Sequence, residues 1–505
     1  MVLKNIKYPH VKTIEVKISN FSNGLDTETN ENILRFDSAV DCYNFSFKSG
    51  ALTESLGFEK LTLPSSIEDG STEKAVYPCK YDNENTGFLK VGLYKYYNHT
   101  ANERADKLIV INDENKVRFC RVINSVPMLL NLDQTQFEET PELFNYNDGN
   151  RDCVLFCSEK DGLNSWDSNV AVKKYTNRPV VTNLCIYKNR TFITEGGERL
   201  QIRTEPTNLT SWGTVESSEN VYITFDSEQG YINKLLTFNG YMFVIRDFDI
   251  SRIMWFDNDT YNVSKLLCSG SKMYGKTACI CGDVGIILAK DGLYKFDSVS
   301  AEKIDLKLNN MFNVSGNQNA VATFRNGIYY LACNLKFDDD EKIGCENNSY
   351  LNNALISYEV SSGNYTIERG IDIKDLCTIQ YESVDKVLAC FNDGYKNNIG
   401  QLTSNGKIFG DVQIKYWRSP LTDLGYSNKL KYVREISLIS KYDAKLCVFT
   451  ETESREFVIK GGNVVTQLPV RIKGRLLALS IRSEVERAFI SNIKLTVDLL
   501  DLDYV

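Results

Sequence analysis

The chain has 505 residues, too many for one ordinary domain unless a repeat architecture takes up the length. Its 66 acidic and 58 basic residues leave a formal charge of −8, which argues against a basic protein that wraps nucleic-acid phosphates. Only 2 histidines are present, His10 and His99, so mechanisms that need several imidazoles in one site are nearly excluded.

No secretory signal is expected, because Met1–Glu15 lacks a long apolar run before a small-residue cleavage site. The first 60 residues read as an N-terminal strand or arm segment. One alternating strand, Thr13–Ser19, is followed by Asn20–Leu25, then Asp41–Phe45, Gly50–Leu52 and Gly57-Phe58. From there helical periodicity is scarce, and short apolar strands alternate with polar turns. Aromatic residues at 11%, with many Val, Ile and Thr, also lean towards β structure. Hairpins are predicted over Ala75–Asn98, Lys107–Ile123, Leu184–Thr194 (turn Lys188-Asn189), Leu235–Arg246 (turn Asn239-Gly240) and Ala320–Asn334 (turn Asn326-Gly327). Asn-Gly is the strongest of these signals, because both positions tolerate positive φ.

Internal repetition chooses among all-β architectures. Lys160-Asp161-Gly162-Leu163-Asn164-Ser165-Trp166-Asp167-Ser168 matches Lys290-Asp291-Gly292-Leu293-Tyr294-Lys295-Phe296-Asp297-Ser298. Three units of about 43 residues fill the distance between them, within the range of propeller blades. Hairpin first strands begin near 184, 235, 279, 320 and 376, and the longest step contains the acidic insertion Lys336–Asn353, read as a loop added to one blade. A β-propeller of about five to eight blades over 61–405 is expected. Beyond it, Trp417–Gly425 reads as a loop. Strands are then predicted at Val433–Ser440, Ala444–Thr450, Arg455–Lys460, Leu476–Arg482 and Ile490–Val497, giving a C-terminal β-sandwich-like domain over 406–505. The basic stretch Arg471–Arg475 reads as a solvated surface loop. No run approaches the roughly 18 apolar residues of a membrane helix, and Asp501–Val505 carries no lipidation motif.

Of the 14 cysteines, most sit in apolar strand-like runs, Cys185, Cys333, Cys390 and Cys447 among them. Free core thiols of a protein made in a reducing cytoplasm are therefore expected. Cys153/Cys157 and Cys279/Cys281 have no matching second pair, which leaves no zinc pattern. Dinucleotide, phosphate-loop, zincin and nucleophile-elbow motifs are absent. Asp148, Asn150, Asp152 and Glu159 fall at the spacing of a calcium loop, but Cys153 stands where such a loop needs glycine, so an acidic turn feeding a strand is the reading. Asp338–Glu341 reads as a solvated loop, and the aromatic run Tyr94-Lys95-Tyr96-Tyr97 as a sheet face. The sequence assigns no catalytic, cofactor-binding or metal-binding residue and points to no cofactor and no enzyme.

Three regions resemble the β-propeller tail proteins of bacteriophages, of the hub, nozzle and DNA-stabilisation type. The opening Asn23-Gly24-Leu25-Asp26-Thr27, Asp41-Cys42-Tyr43-Asn44-Phe45, Gly50-Ala51-Leu52 and Gly57-Phe58 is similar to their start, with Asp41 departing from the usual small residue. Leu184–Ile193 followed by Thr207–Trp212, and Ile286–Phe296, resemble their blade strands, and Pro469–Arg475 with Ile481–Ser483 their closing sandwich. The resemblance implies a structural virion protein located in the tail after synthesis in a bacterial cytoplasm. It would form a homo-oligomeric ring, often six-fold, around the DNA channel, retaining packaged DNA and conducting it during ejection. Its partners would be other tail proteins, on the portal or adaptor side and at the tail tip or fibres. An acidic chain suits contact with moving DNA, since it does not trap phosphates. Two further readings are a receptor- or glycan-binding propeller without catalysis, presenting exposed aromatics such as Tyr96 and Tyr97, and a carbohydrate-active enzyme with paired carboxylates in an axial pocket.

Overall fold

The computed structural model describes residues 11–47, 49–64, 76–78, 80–81, 87–95, 97–98, 103–104, 107–123, 126–149, 151–167, 172–176, 178–213, 221–256, 260–312, 316–337, 350–381, 384–391, 398–462 and 464–501. The fold is all-β: strands fill it, and helices are single turns such as Glu31–Ile33 and Asn309–Phe312.

Among the described residues, seven sheets follow one another along the chain, each a meander of sequence neighbours. The first strand of each meander lies at one edge: Phe88–Tyr94, Glu142–Asn147, Val181–Tyr187, Ile232–Phe238, Cys279–Cys281, Val321–Arg325 and Ile373–Tyr381, with Lys80–Tyr81 and Gly57–Lys60 added to the first and seventh sheets from earlier in the chain. We call these the inner strands, because they face one another. Phe88–Tyr94 touches Glu142–Asn147, Val181–Tyr187 touches Ile232–Phe238, and Val321–Arg325 touches both Cys279–Cys281 and Ile373–Tyr381. The second sheet reaches the third through Asp152–Ser158, and the fourth reaches the fifth through the turn Gly275–Thr277. Ile373–Tyr381 then packs on Phe88–Tyr94, so the series returns to its start.

Local sequence explains the meanders. Lys188-Asn189, Asn239-Gly240 and Asn326-Gly327 all have positive φ at both positions and close two-residue hairpins, with Tyr187 paired to Arg190, Phe238 to Tyr241 and Arg325 to Ile328. The matched nonapeptides occupy equivalent places: Gly162–Trp166 is the third strand of the second sheet and Gly292–Phe296 the third strand of the fifth. The insertion Lys336–Asn353 lies between the paired strands Ile328–Cys333 and Ala354–Glu359, and its acidic run Asp338–Glu341 lies outside the described residues. The hairpin predicted over Ala75–Asn98 is not formed as one unit. Val76–Pro78 pairs with Thr62–Pro64, Lys80–Tyr81 runs parallel to Val126–Gln136, and Phe88–Tyr94 pairs with Lys107–Asn112.

Described strands among the first 60 residues pair with strands from much later in the chain. Gly57–Lys60 inserts into the seventh sheet beside Ile399–Thr403, placing Phe58 edge-on against Phe391 at 5.1 Å. Lys12–Ile18 and Leu52–Glu54 pair with Phe489–Asp501, and Asp41–Tyr43 pairs with Lys415–Arg418. Two sheets result, Phe45–Ser46/Leu52–Glu54/Phe489–Asp501/Lys429–Ser440/Val464–Gly474 and Asp41–Tyr43/Lys415–Arg418/Ala478–Ser483/Ala444–Phe449/Ser454–Ile459. They share one core of Trp417, Val433, Leu446, Ile472, Ile481 and Leu495, which runs on into Leu331 and Ile356 of the sixth sheet. Trp417 and Arg418 thus belong to a strand rather than to the predicted loop, because Trp417 is buried edge-on against Phe21. Arg471–Gly474 likewise ends a strand, with Ile472 buried between exposed Arg471 and Lys473. The boundary expected at 405/406 falls inside the seventh sheet's extension, since Lys407–Ile408 adjoins Gly57–Lys60.

A polar seam joins the N-terminal segment to the sixth sheet. Asn44, at φ 59°, donates to the carbonyls of Ile414 (2.7 Å) and Arg369 (3.3 Å), and accepts from the Arg369 amide at 2.8 Å. Beside it, the Glu368 carboxyl accepts from Ser55 Oγ, from Thr366 Oγ1 at 3.0 Å and from Ser357 Oγ at 3.4 Å. Burial pushes this carboxyl up to about 7.

Candidate functional site at the inner strands

Four inner strands carry the same irregularity near their starts. In Phe88–Tyr94, Val181–Tyr187, Ile232–Phe238 and Ile373–Tyr381 the register slips by one residue, leaving Leu89, Thr182, Asn233 and Lys374 unpaired. A bulge bends the strand and re-aims the side chain that follows. The following residues are Lys90, Asn183, Lys234 and Asp375, each polar at the head of an apolar strand. Glu142 opens the inner strand of the second sheet, and Lys276 lies in the turn before that of the fifth.

These groups converge. Lys90 Nζ lies 2.5 Å from Glu142 Oε2, and Lys276 Nζ lies 3.6 Å from Glu142 Oε1. Burial alone would raise the Glu142 carboxyl, but Lys90 and Lys276, with Lys234 behind them, hold it down at about 2. Asp375 accepts the Val91 amide at 3.0 Å. Its burial, opposed by Lys90, pushes it up to about 6. Five sheets therefore contribute to one electrostatic cluster. In front of it opens a cavity of about 470 Å³, lined among others by Glu142, Thr182, Asn183, Asn233, Lys234 and Lys276.

The polar groups of this cavity are unequally satisfied. Thr182 Oγ1 and Asn183 Nδ2 both reach Thr194 Oγ1, at 2.8 and 3.1 Å, and Asn233 Nδ2 donates to Asp247 Oδ1 at 3.0 Å. On the rim Arg199 pairs with Glu159. Among the described residues, Lys234 has no carboxylate within ion-pair distance, and no donor reaches the side-chain oxygens of Asn183 and Asn233. Among the described residues that line the cavity, Lys234 is thus an ammonium without an ion pair and Glu139 a carboxylate without one, its Oε1 accepting the Lys160 amide at 3.0 Å, and the side-chain oxygens of Asn183 and Asn233 accept no donor.

No residue of this cluster was singled out from the sequence. The available signal is a charge or amide at the third position of an inner strand, as in Phe88-Leu89-Lys90-Val91, Ile232-Asn233-Lys234-Leu235 and Ile373-Lys374-Asp375-Leu376. The positions that did resemble a calcium loop do not meet. Asp148 pairs with Arg151 at 3.5 Å, Asp152 lies at the head of a strand, Glu159 pairs with Arg199, and Asn150 is outside the described residues. No group of metal ligands forms among the described residues. Cys185, Cys333 and Cys390 are buried free thiols, raised by burial well above the ordinary range. Tyr94 is buried against Trp166, Tyr97 is 39% exposed, and Tyr96 lies outside the described residues. Among the described residues no helix is long and apolar enough to cross a membrane.

The chain matches no protein-family model and no curated protein. Among solved structures it is similar to PorZ, an essential bacterial surface component of the type-IX secretion system of Porphyromonas gingivalis. The identity is 11% and the TM-score 0.36, over 76% of this chain and 45% of that one. The matched region is less than half of that protein.

Proposed function

We propose that the seven sheets are the blades of a closed β-propeller, that the two C-terminal sheets are a β-sandwich docked on it, and that the chain is a structural protein of a bacteriophage tail. In this reading copies of the chain form a ring, part of the nozzle, hub or adaptor, around the channel that retains packaged DNA and conducts it during ejection. The observation that carries it is the way both ends of the chain are tied in. Gly57–Lys60 completes the seventh sheet and Lys12–Ile18 pairs with Phe489–Asp501. A part that bears load gains from such closure, because no terminal blade is left free to peel away. The resemblance of the opening segment, the blade strands and the closing strands to tail propellers supports the same assignment. The net charge of −8 suits a wall past which DNA moves without sticking. DNA would pass between copies rather than between the inner strands, which the ion pairs of Glu142 with Lys90 and Lys276 bridge.

Immunogold electron microscopy tests this, using antibody to the full chain on virus particles from cells carrying its coding sequence. Label at the tail below the capsid vertex is expected, together with a closed ring in negative-stain images of the purified chain or of tails. Particles that carry no label would overturn the assignment. The second reading, a glycan-binding propeller, is favoured by the polar cavity at the inner strands and predicts binding by the isolated chain.

A further inference from the structure

We propose that the cavity at the inner strands is a binding site for a small hydroxylated carboxylic acid, such as a sugar acid at the end of a glycan. The inference stands on the geometry of the cavity and does not depend on the tail assignment.

The site is constructed rather than incidental. One bulge, repeated in four sheets, presents Lys90, Asn183, Lys234 and Asp375 from strands that are otherwise apolar. Charges placed there cost stability unless they are paired, and the deeper ones are: Lys90 with Glu142, and Asp375 with the Val91 amide. Those inner groups fix Glu142, and Glu142 steadies Lys276 at 3.6 Å. The outer layer is left incomplete. Among the described residues Lys234 lacks a carboxylate partner, Lys276 shares one, the side-chain oxygens of Asn183 and Asn233 accept no donor, and Glu139 at the rim accepts only the Lys160 amide.

A ligand that completes this layer brings one negative group for the lysines and hydroxyl donors for the amide oxygens. Lysine supplies a point charge without the fork by which arginine grips phosphate, and a carboxylate satisfies two neighbouring ammonium groups. The volume of about 470 Å³ lies in the range of small-molecule sites. A neutral sugar would leave the ammonium groups unanswered. A bare anion would leave the amide oxygens unanswered.

Titration calorimetry of the full chain at pH 7 tests the proposal with three probes: glucuronate, glucose and inorganic phosphate. Glucuronate should bind about tenfold or more tightly than either of the others, a difference set by one charge-assisted contact. Lys234→Ala and Lys276→Ala should each weaken it by a similar factor. Lys276 is largely exposed and Lys234 partly so, so both variants should fold, as circular dichroism would verify. Lys188→Ala, at a hairpin turn away from the cavity, should leave binding unchanged. Absence of glucuronate binding, binding indifferent to both cavity lysines, or equal binding of phosphate would overturn the proposal.

Discussion

The amide of Val91 donates to the carboxylate of Asp375 at 3.0 Å across 284 residues of sequence, joining the inner strand of the first sheet to that of the last. This bond lies where the series of sheets meets itself. Asp375→Ala removes the acceptor and leaves the amide unanswered in a buried place, which should cost about 1–3 kcal/mol in urea unfolding. Asp375→Asn keeps an acceptor without the charge and should cost much less.

Glu142 gives a prediction in acid. Its folded carboxyl is held at about 2 against an ordinary value of 4.5. Its contribution is therefore present in full above pH 4.5 and is lost as pH falls towards 2. Glu142→Gln should flatten the decline in melting temperature over that window. At pH 7 the variant should lose only about 1 kcal/mol, because the Glu142 side chain is 40% exposed and solvent screens its pair with Lys90.

Glu368 gives the opposite sign. Its folded carboxyl is raised from 4.5 to about 7, so the folded state holds its proton more tightly than the unfolded chain does. Stability from this group is greatest below pH 4.5 and is lost as pH rises to 7, by on the order of 3 kcal/mol. Glu368→Gln should be more stable than the parent at pH 8, and the difference should vanish near pH 4. Thermal unfolding at the two pH values measures both.

Gly57 is a steric prediction. A Cβ there would run into the backbone carbonyl of Lys407 and lie 2.6 Å from its amide nitrogen. Neither atom can yield without breaking the seventh sheet. Gly57→Ala should cost about 2 kcal/mol or more, and limited proteolysis should then cut first around the strand Gly57–Lys60. If the variant melts with the parent, the strand is not a fixed part of that sheet.

The hairpins were legible because their signals are local: Asn239-Gly240 and Asn326-Gly327 state both the turn and the register within a few residues. The matched Asp-Gly strands of the second and fifth sheets were legible for the same reason. Gly57–Lys60 was not, since four residues carry little pattern and their partners lie at Ile399–Thr403. Trp417 reads as a loop residue from the sequence because Pro420 and Gly425 follow closely, yet its burial against Phe21 depends on a segment some four hundred residues earlier in the chain. The cluster at the inner strands was hidden because a bulge is a property of two strands. Lys234 in Ile-Asn-Lys-Leu reads as an ordinary polar interruption until the slip opposite Ile245 is known.

The strand Gly57–Lys60 also sets the order in which the molecule can be made. Its partners at Ile399–Thr403 leave the ribosome some 340 residues later, tens of seconds at ordinary elongation rates. Lys12–Ile18 must wait longer still, for Phe489–Asp501. During that interval the strand Gly57–Lys60 has no partner to pair with, and Phe58 stays uncovered. The nascent chain is then open to chaperones and to its own copies, and a product that stops before residue 399 can never complete the seventh sheet.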